Sequence, residues 1–430
     1  MGARWRRFGP VVSPIGVTGR RGGRAVLAGA AVLCFAPADV LAQLPLSPSP
    51  APVTPQPLGP APSSGRLRAP HAVALGVAAP LRGFAVTPNE RVTIEYRRRG
   101  AWRRLAATAS DPRGEYRLRA RLPFAVGTYR LRASVSGAAP SPVIRVRTRT
   151  IVLDAVGDIN LGDGVADVMH RRGTRFPWGG VRRELRAADI AFGNLECAVS
   201  RRGRKVPNKQ YNFRGHPGAL RQAARYAGMD VLNLANNHSG DFGTTALLDT
   251  IAWVRRFGMT DIGAGRNLAA AGRPRIMTRL GLRVGFVGFS DINPPGFVAG
   301  ARHPGTLPAN PALVRRSVRR AARRADVVIA SFHWGVERST HPSGRQRALA
   351  HAALTGGADA VIGAHPHVLQ PVRRRGRRTI AYSLGNFVWS AGSEMTARTG
   401  ILRLRLSRRG VERASLSHAR IVGTRPRLTP

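Results

Sequence analysis

The sequence predicts an α/β domain over residues 151–410, preceded by a small all-β, immunoglobulin-like sandwich module over 67–150. Three observations lead to this. Between 67 and 150, short runs alternate apolar and polar residues with a period of two, and no helical pattern interrupts them. From 151 onward, continuous apolar runs of strand length alternate with helix-like stretches. A Pro-, Ser- and Ala-rich stretch over 43–66 separates both from an N-terminal segment of different character.

That segment, 1–42, reads as a signal peptide: an Arg-rich, acid-free start, a short apolar run over 25–36, and small residues at Val40-Leu41-Ala42 before Gln43. The apolar run is shorter than a permanent membrane span, although an uncleaved anchor is an alternative. The expected location is secreted or cell-surface. Residues 43–66 cannot bury a core and form a spacer. In the β module the expected strands are Arg91–Tyr96, Glu115–Ala120, Thr128–Ala133 and Val143–Arg147, with Pro112-Arg113-Gly114 and Ser136-Gly137 as turns. No catalytic constellation stands out there, so the module is expected to bind or to space.

In the α/β domain the expected strands are Ile151–Val156, Ile190–Gly193, Val231–Ala235, Val284–Phe289, Val327–Phe332, Ala360–Ile362 and Ile380–Leu384. Helices are expected over Ala219–Ala227, Thr244–Phe257, Pro311–Ala325 and Gln346–Leu354, and 411–430 is expected to be a C-terminal tail. Buried, largely parallel strands follow from this order.

The chain of 430 residues is 43% hydrophobic, enough for packed interiors. Its net charge is +47, from 69 Lys and Arg against 22 Asp and Glu. The cations are nearly all Arg, with only Lys205 and Lys209 as lysines, and they spread over the whole length. No nucleic-acid reader motif accompanies them, which argues against nucleic acid as the partner. An anionic cell-envelope polymer or phosphoester suits such a surface. With Cys34 in the segment expected to be removed, Cys197 is a single thiol, which excludes an intrachain disulfide framework and suits a core position.

Polar residues follow the apolar runs with a common logic. Asp158 and Asn160 follow the first, Asn194 and Glu196 the second, and Asn236-Asn237-His238 with Asp241 the third. His333-Trp334 with Glu337, His365-Pro366-His367, and Asn386 follow later runs. Parallel strands end on one side, so these residues share the crevice where α/β sheets bind ligands. Asp, Glu, Asn and His are ligands for hard or borderline divalent metals. Taken singly, His333 reads as a core histidine, Asn236-Asn237 as turn formers and Asp158 as a helix cap. Six clusters at one topological position point instead to a site. His365 and His367 would share one face of an extended segment stiffened by Pro366.

These same stretches carry a resemblance. Gly157-Asp158-Ile159-Asn160-Leu161-Gly162, Gly193-Asn194-Leu195-Glu196, Leu234-Ala235-Asn236-Asn237-His238 and Asp241-Phe242-Gly243 resemble signatures of the CapA family of capsule and poly-γ-glutamate synthesis. So do Gly263-Ala264-Gly265-Arg266-Asn267, His333-Trp334-Gly335-Val336-Glu337, the run from Ile362 to Gln370, and Tyr382-Ser383-Leu384-Gly385-Asn386-Phe387. The resemblance spans about 150–410. It implies a metallophosphatase-like (calcineurin-like) four-layer αββα sandwich, one or two divalent ions (Mn, Zn, Fe or Mg), and capsule-synthesis membrane proteins as partners. It implies Asp158 and His367 as ligands of a first metal, and Asn237, His333 and His365 of a second. Asn194 or Glu196 would stand at the bridging position. His238 would be the acid or transition-state stabiliser, oriented by Asp241. Asn160, Asn236, Trp334, Glu337 and Asn386 are candidate substrate-binding residues in the same clusters. Three departures matter: Asn160 replaces a His, the bridging Asp is missing, and Ala364 replaces a bulkier or polar residue. The activity implied is metal-dependent hydrolysis; the alternative is polymer binding or export without turnover.

Overall fold

The computed structural model describes residues 65–429. The expected leader and nearly all of the spacer lie outside the described residues. Among the described residues, no helix is long and apolar enough to cross a membrane.

Residues from Ile151 onward form a mixed α/β domain around two sheets. One has eight strands, in the order Thr260–Ile262, Val231–Asn233, Ile190–Leu195, Ile151–Ile159, Arg398–Ser407, Gly410–Val422 and Arg425–Leu428, with Asn386–Val388 also paired to Ile151–Ile159. The other has six, in the order Arg275–Arg279, Leu282–Ser290, Val327–His333, Ala360–Ala364, Arg378–Ala381 and Val372–Arg375. The strands that precede the polar clusters run parallel to one another within each sheet.

The apolar runs are unbroken because both faces of each sheet are covered. In Val327–His333, Val327 and Ile329 point into the layer between the sheets, with Leu153, Phe192, Val284 and Phe286. Val328, Ala330 and Phe332 point outward, against Val314 and Val318 of helix Pro311–Ala322 and Leu349 and Ala353 of helix Gly344–Gly356. On the other sheet, Val156, Ile159 and Leu232 meet Leu220 and, from helix Gly243–Arg256, Leu247, Ile251 and Val254. The layers therefore run helices, sheet, sheet, helices. Phe192 and Phe286 stack across the middle, centroids 6.2 Å apart.

Several boundaries differ from the sequence reading. The 411–430 segment is no tail: Gly410–Val422 and Arg425–Leu428 extend the eight-stranded sheet, burying Val411, Ala419 and Ile421. Arg and Ser between those residues hid the pattern. The helix expected over Ala219–Ala227 is α-helical for Pro217–Gln222, then a π turn over Ala223–Ala227 closed by Gly228 at φ 84°. The strand expected to reach Leu384 ends at Ala381, and the chain bends before starting Asn386–Val388.

Residues 66–149 form two small sheets. Ala72–Ala74, Ile144–Arg149, Gly127–Val135, Arg91–Arg98 and Ala101–Ala109 make a five-stranded one; Arg66–Arg68, Ala78–Phe84 and Glu115–Arg121 make a three-stranded one. Leu81, Ile94, Tyr116, Leu131 and Val146 lie in their shared core. Burial pushes the Tyr116 hydroxyl up to about 12. Backbone bonds from Ala74 N to Leu280 O (2.9 Å) and from Arg408 N to Leu75 O (3.1 Å) tie these sheets to the α/β domain.

One buried acid gives a pH signature. Asp359 Oδ2 accepts the Val328 N–H at 2.8 Å. Burial, opposed by that bond and by Arg378, pushes its carboxyl up to about 6. The folded chain then holds this proton more tightly than the unfolded one, so stability falls as pH rises from about 4 to about 6 and levels off above. Asp359→Asn keeps the acceptor oxygen and removes this slope. Its urea midpoint at pH 7 should exceed the parent's by an amount worth up to about 3 kcal/mol, and the difference should shrink by pH 4.

Candidate metal centre

The parallel strands deliver the polar clusters to one edge. Asp158 lies near the end of Ile151–Ile159, Asn194 in Ile190–Leu195 with Glu196 just beyond, and His333 at the end of Val327–His333. His365 and His367 follow Ala360–Ala364. A close backbone approach completes the edge. Asp158 N donates to Gly385 O at 2.9 Å, and a Cβ on Gly157 would lie 1.8 Å from that oxygen. Only glycine there lets Asn386–Val388 pair beside Asp158.

The segment His365-Pro366-His367 is not extended, as the sequence reading had it. His365 has φ 95° and His367 φ 58°, in the region that favours glycine. Strain of this kind persists where surrounding contacts over-determine it, and it clusters at functional sites. The contacts here are His365 N to Asp158 Oδ2 (3.2 Å) and His367 Nδ1 to Asn386 Oδ1 (2.9 Å).

Two groups of ligand-type atoms share one residue. Asp158, Glu196 and His367 form one group, and Glu196, His333 and His365 the other. Within each, the nearest ligand atoms lie within 4.8 Å of one another. His333 Nε2 is 3.3 Å from Glu196 Oε1 and 2.7 Å from Asn237 Oδ1. His367 Nδ1 is 3.4 Å from Asp158 Oδ2, and its Nε2 is 3.9 Å from Glu196 Oε1. A third group, Glu337 with His365 and His367, includes an exposed acid.

Burial governs the charges. Burial, reinforced by Asp158, Glu337 and Asp241, pushes Glu196 well above the usual carboxylate range. Burial, with neighbouring His367, brings His365 down to about 3, and it holds His333 well below its ordinary value. Burial works to raise Asp158, but His367 and hydrogen bonds from its neighbours outweigh it and hold it low. Burial opposes protonation of His367, and Asp158 outweighs that.

The residues fit a divalent cation. Both Glu196 oxygens and His365 Nδ1 are buried without a hydrogen-bond partner. Orphaned acceptors of this kind are costly unless something positive meets them. Oxygen and imidazole donors suit Mn, Fe, Zn or Mg ions. Asp158, Glu196, Asn237, His333, His365 and His367 would hold the metal, Glu196 being common to both groups.

Both polar side-chain atoms of Asn194 are hydrogen-bonded within the site. Its Nδ2 donates to Asp158 Oδ1 (2.8 Å) and faces His333 Nδ1 (3.2 Å), while its Oδ1 accepts from Asn233 (3.0 Å) and Asn236 (3.3 Å). It orients ligands. Asn236 is likewise consumed, donating also to Leu195 O and accepting from His238 N and Ser239 Oγ. Asn160 accepts from Gly162 N at 2.8 Å and shapes a turn. Trp334 is fully buried, stacked on Phe332 at 4.4 Å and donating to Tyr382 O at 2.8 Å, so it is core. Asn386 is buried and bonds His367 and Thr396 O. Of the residues expected to face substrate, Glu337 alone is exposed. Buried Cys197, its thiol pushed up to about 12 by burial, accepts from Leu161 N and is core.

His238 and Asp241 pair as expected, Nδ1 to Oδ2 at 2.7 Å. Burial lowers His238 despite Asp241. Three partners here escaped the sequence reading. Lys209 Nζ meets Asp241 Oδ1 at 2.8 Å; Phe213 stacks on His238 at 4.2 Å and donates its N–H to Asp241 (2.6 Å); Trp389 covers His367 at 4.8 Å. Lys209 alone carried a usable signal, as one of two lysines in an Arg-rich chain.

Residues 152–391 match the family described as bacterial capsule synthesis protein PGA_cap. The PGA biosynthesis protein CapA of Bacillus subtilis (strain 168) is 31% identical over 281 residues, covering 65% of this chain and 74% of its own. The capsule biosynthesis protein CapA of Bacillus anthracis is 33% identical over 279 residues, covering 63% and 68%. A probable polyglutamine synthesis accessory protein of Mycobacterium tuberculosis is 31% identical over 227 residues, covering 50% and 60%. Every ligand-type residue above falls inside the matched span.

Proposed function

The chain belongs to the bacterial capsule synthesis protein PGA_cap family, and from that premise we propose a metal-dependent hydrolase of the cell envelope acting on an anionic phosphoester or polymer in poly-γ-glutamate synthesis. The helices–sheet–sheet–helices layering supports a metallophosphatase-like reading. The observation that carries the proposal is Glu196, whose two buried oxygens lack hydrogen-bond donors while three histidines and Asp158 surround them. The leader expected in 1–42 and the cationic surface support an envelope location.

A divalent ion held by these residues would supply Lewis acidity, polarising a phosphoryl or carbonyl oxygen and acidifying water. The chain's own residues divide the remaining work. Asp241, fully buried, accepts from His238 Nδ1 and so leaves Nε2 as the atom that takes or gives a proton at the reacting group. Asp241 therefore positions, and Lys209 and Phe213 N–H fix Asp241 in turn. Phe213 and Trp389 wall His238 and His367 against water.

A panel of phosphoesters and linear poly-γ-glutamate should reveal turnover by the Mn-reconstituted protein. His365→Ala and His238→Ala should each lower it at least ~100-fold. Undiminished turnover in both variants would overturn the proposal. A second reading, polymer binding or assembly without turnover, draws on Asn160, whose side chain is committed to a turn where the resemblance implies a histidine. Bound metal and bound polymer with no hydrolysis would favour it.

A further inference from the structure

The three-stranded sheet of the N-terminal module carries a row of arginines. Arg68 stands opposite Arg82, and Arg82 opposite Arg117, so three arginines line up across three adjacent strands. All three are exposed, as are Arg66, Arg119 and Arg121 on the same face. Like charges directly opposite on neighbouring strands destabilise a sheet. A comparable row, Arg398–Arg420–Arg427, crosses three strands of the eight-stranded sheet, but there Glu394 pairs with both Arg398 and Arg420. On the face of the three-stranded sheet, among the described residues, Glu115 is the one acidic side chain of the three strands, 3.4 Å from Arg117.

A groove of about 1160 Å³ is lined by Arg68, Arg82 and Arg117 of this row, by Leu118 and Arg119 beside them, and by Ile144 and Arg145 of the five-stranded sheet. Guanidinium forks pair with carboxylates two bonds at a time, and their apolar stems pack against methylenes. No Phe, Tyr or Trp lines the groove. Single-stranded nucleic acids need such stacking platforms. An extended chain bearing a carboxylate on every repeat, with methylenes between, matches both features.

We propose that this arginine-lined groove is a binding site for a linear polycarboxylate chain, separate from the metal centre. Neighbouring strands space the backbone positions of the row about 4.8 Å apart, within reach of successive carboxylates of one chain for side chains as long as Arg. The choice of polymer rests on the capsule-synthesis reading above, while the site itself stands on the row and the groove. Its role is to hold the polymer on the module, whether or not the α/β domain cleaves it.

The test is binding of fluorescein-labelled linear poly-γ-glutamate to the full chain, read by anisotropy at 150 mM salt. Arg82→Gln/Arg117→Gln should weaken binding about 10-fold or more. Arg373→Gln/Arg375→Gln removes the same charge from exposed positions of strand Val372–Arg375 and should change binding less than about 2-fold. Glu196→Gln should leave binding intact, which separates this site from the hydrolase proposal. Thermal melts of the Arg82→Gln/Arg117→Gln variant should match or exceed the parent's, since a repulsion is relieved. Equal losses in both double variants would show attraction by overall charge and overturn the site. A single-stranded DNA oligonucleotide of equal charge that binds more tightly than the polyglutamate, with the loss confined to Arg82→Gln/Arg117→Gln, would overturn the polycarboxylate assignment.

Discussion

Glu196→Gln is expected to stabilise the metal-free protein while removing most of its response to divalent ions. Glu196 is fully buried beside Asp158, with neither oxygen hydrogen-bonded. Burial and the neighbouring acid disfavour its charge, so a neutral side chain of the same shape removes a penalty. The metal-free melting temperature should rise by about 2–4 °C. In the parent, an ion at 100 times its Kd adds about 2.7 kcal/mol of stability. A 100-fold weaker site at the same ion concentration adds only about 0.4 kcal/mol. Melts with and without Mn resolve both effects. A variant that melts lower without metal and gains as much as the parent with it would remove Glu196 from the ligand set.

Gly157→Ala should cost more than about 3 kcal/mol and loosen the site at the same time. The new Cβ would meet Gly385 O at 1.8 Å and Leu384 O at 3.0 Å, both backbone atoms that no rotamer change can move. Relief requires the Asn386–Val388 strand to withdraw from Asp158, taking with it the Asn386 contact that holds His367 in its strained conformation. Gly127→Ala is the control, since nothing lies within 4 Å of its Cβ. Urea unfolding should separate the two variants, and metal affinity should fall only in Gly157→Ala. Parent-like stability in Gly157→Ala would mean the close approach is not needed.

Much of this architecture was legible because burial on both faces writes an unbroken apolar run. Val327–Phe332 and Ile190–Gly193 announced themselves that way, and parallel order then placed Asp158, Glu196, His333, His365 and His367 together. What escaped depends on distance in sequence or on conformation. Nothing local shows that Asn194 spends its amide on Asp158 and His333 while Glu196 faces both groups. Residue type could not separate them. Trp334 looked site-facing because it follows His333, yet strand alternation turns it into the outer core with Phe332 stacked on it. The positive φ of His365 and His367 arises from Asp158 and Asn386, remote in the chain. Lys209 reaches Asp241 from a loop 32 positions away, where no periodicity applies. In the β module, edge strands such as Arg66–Arg68 are too short to alternate visibly.

The central claim is that the Glu196-centred cluster holds divalent metal. Metal content per chain after reconstitution of the full-length protein with Mn, Zn, Fe or Mg and removal of excess ion tests it most directly. The account predicts one or two tightly held ions in the parent, and loss on His365→Ala, His367→Ala or Glu196→Gln in proteins that remain folded. No retained ion in the parent under any of the four metals, or equal retention by the parent and all three variants, would contradict it.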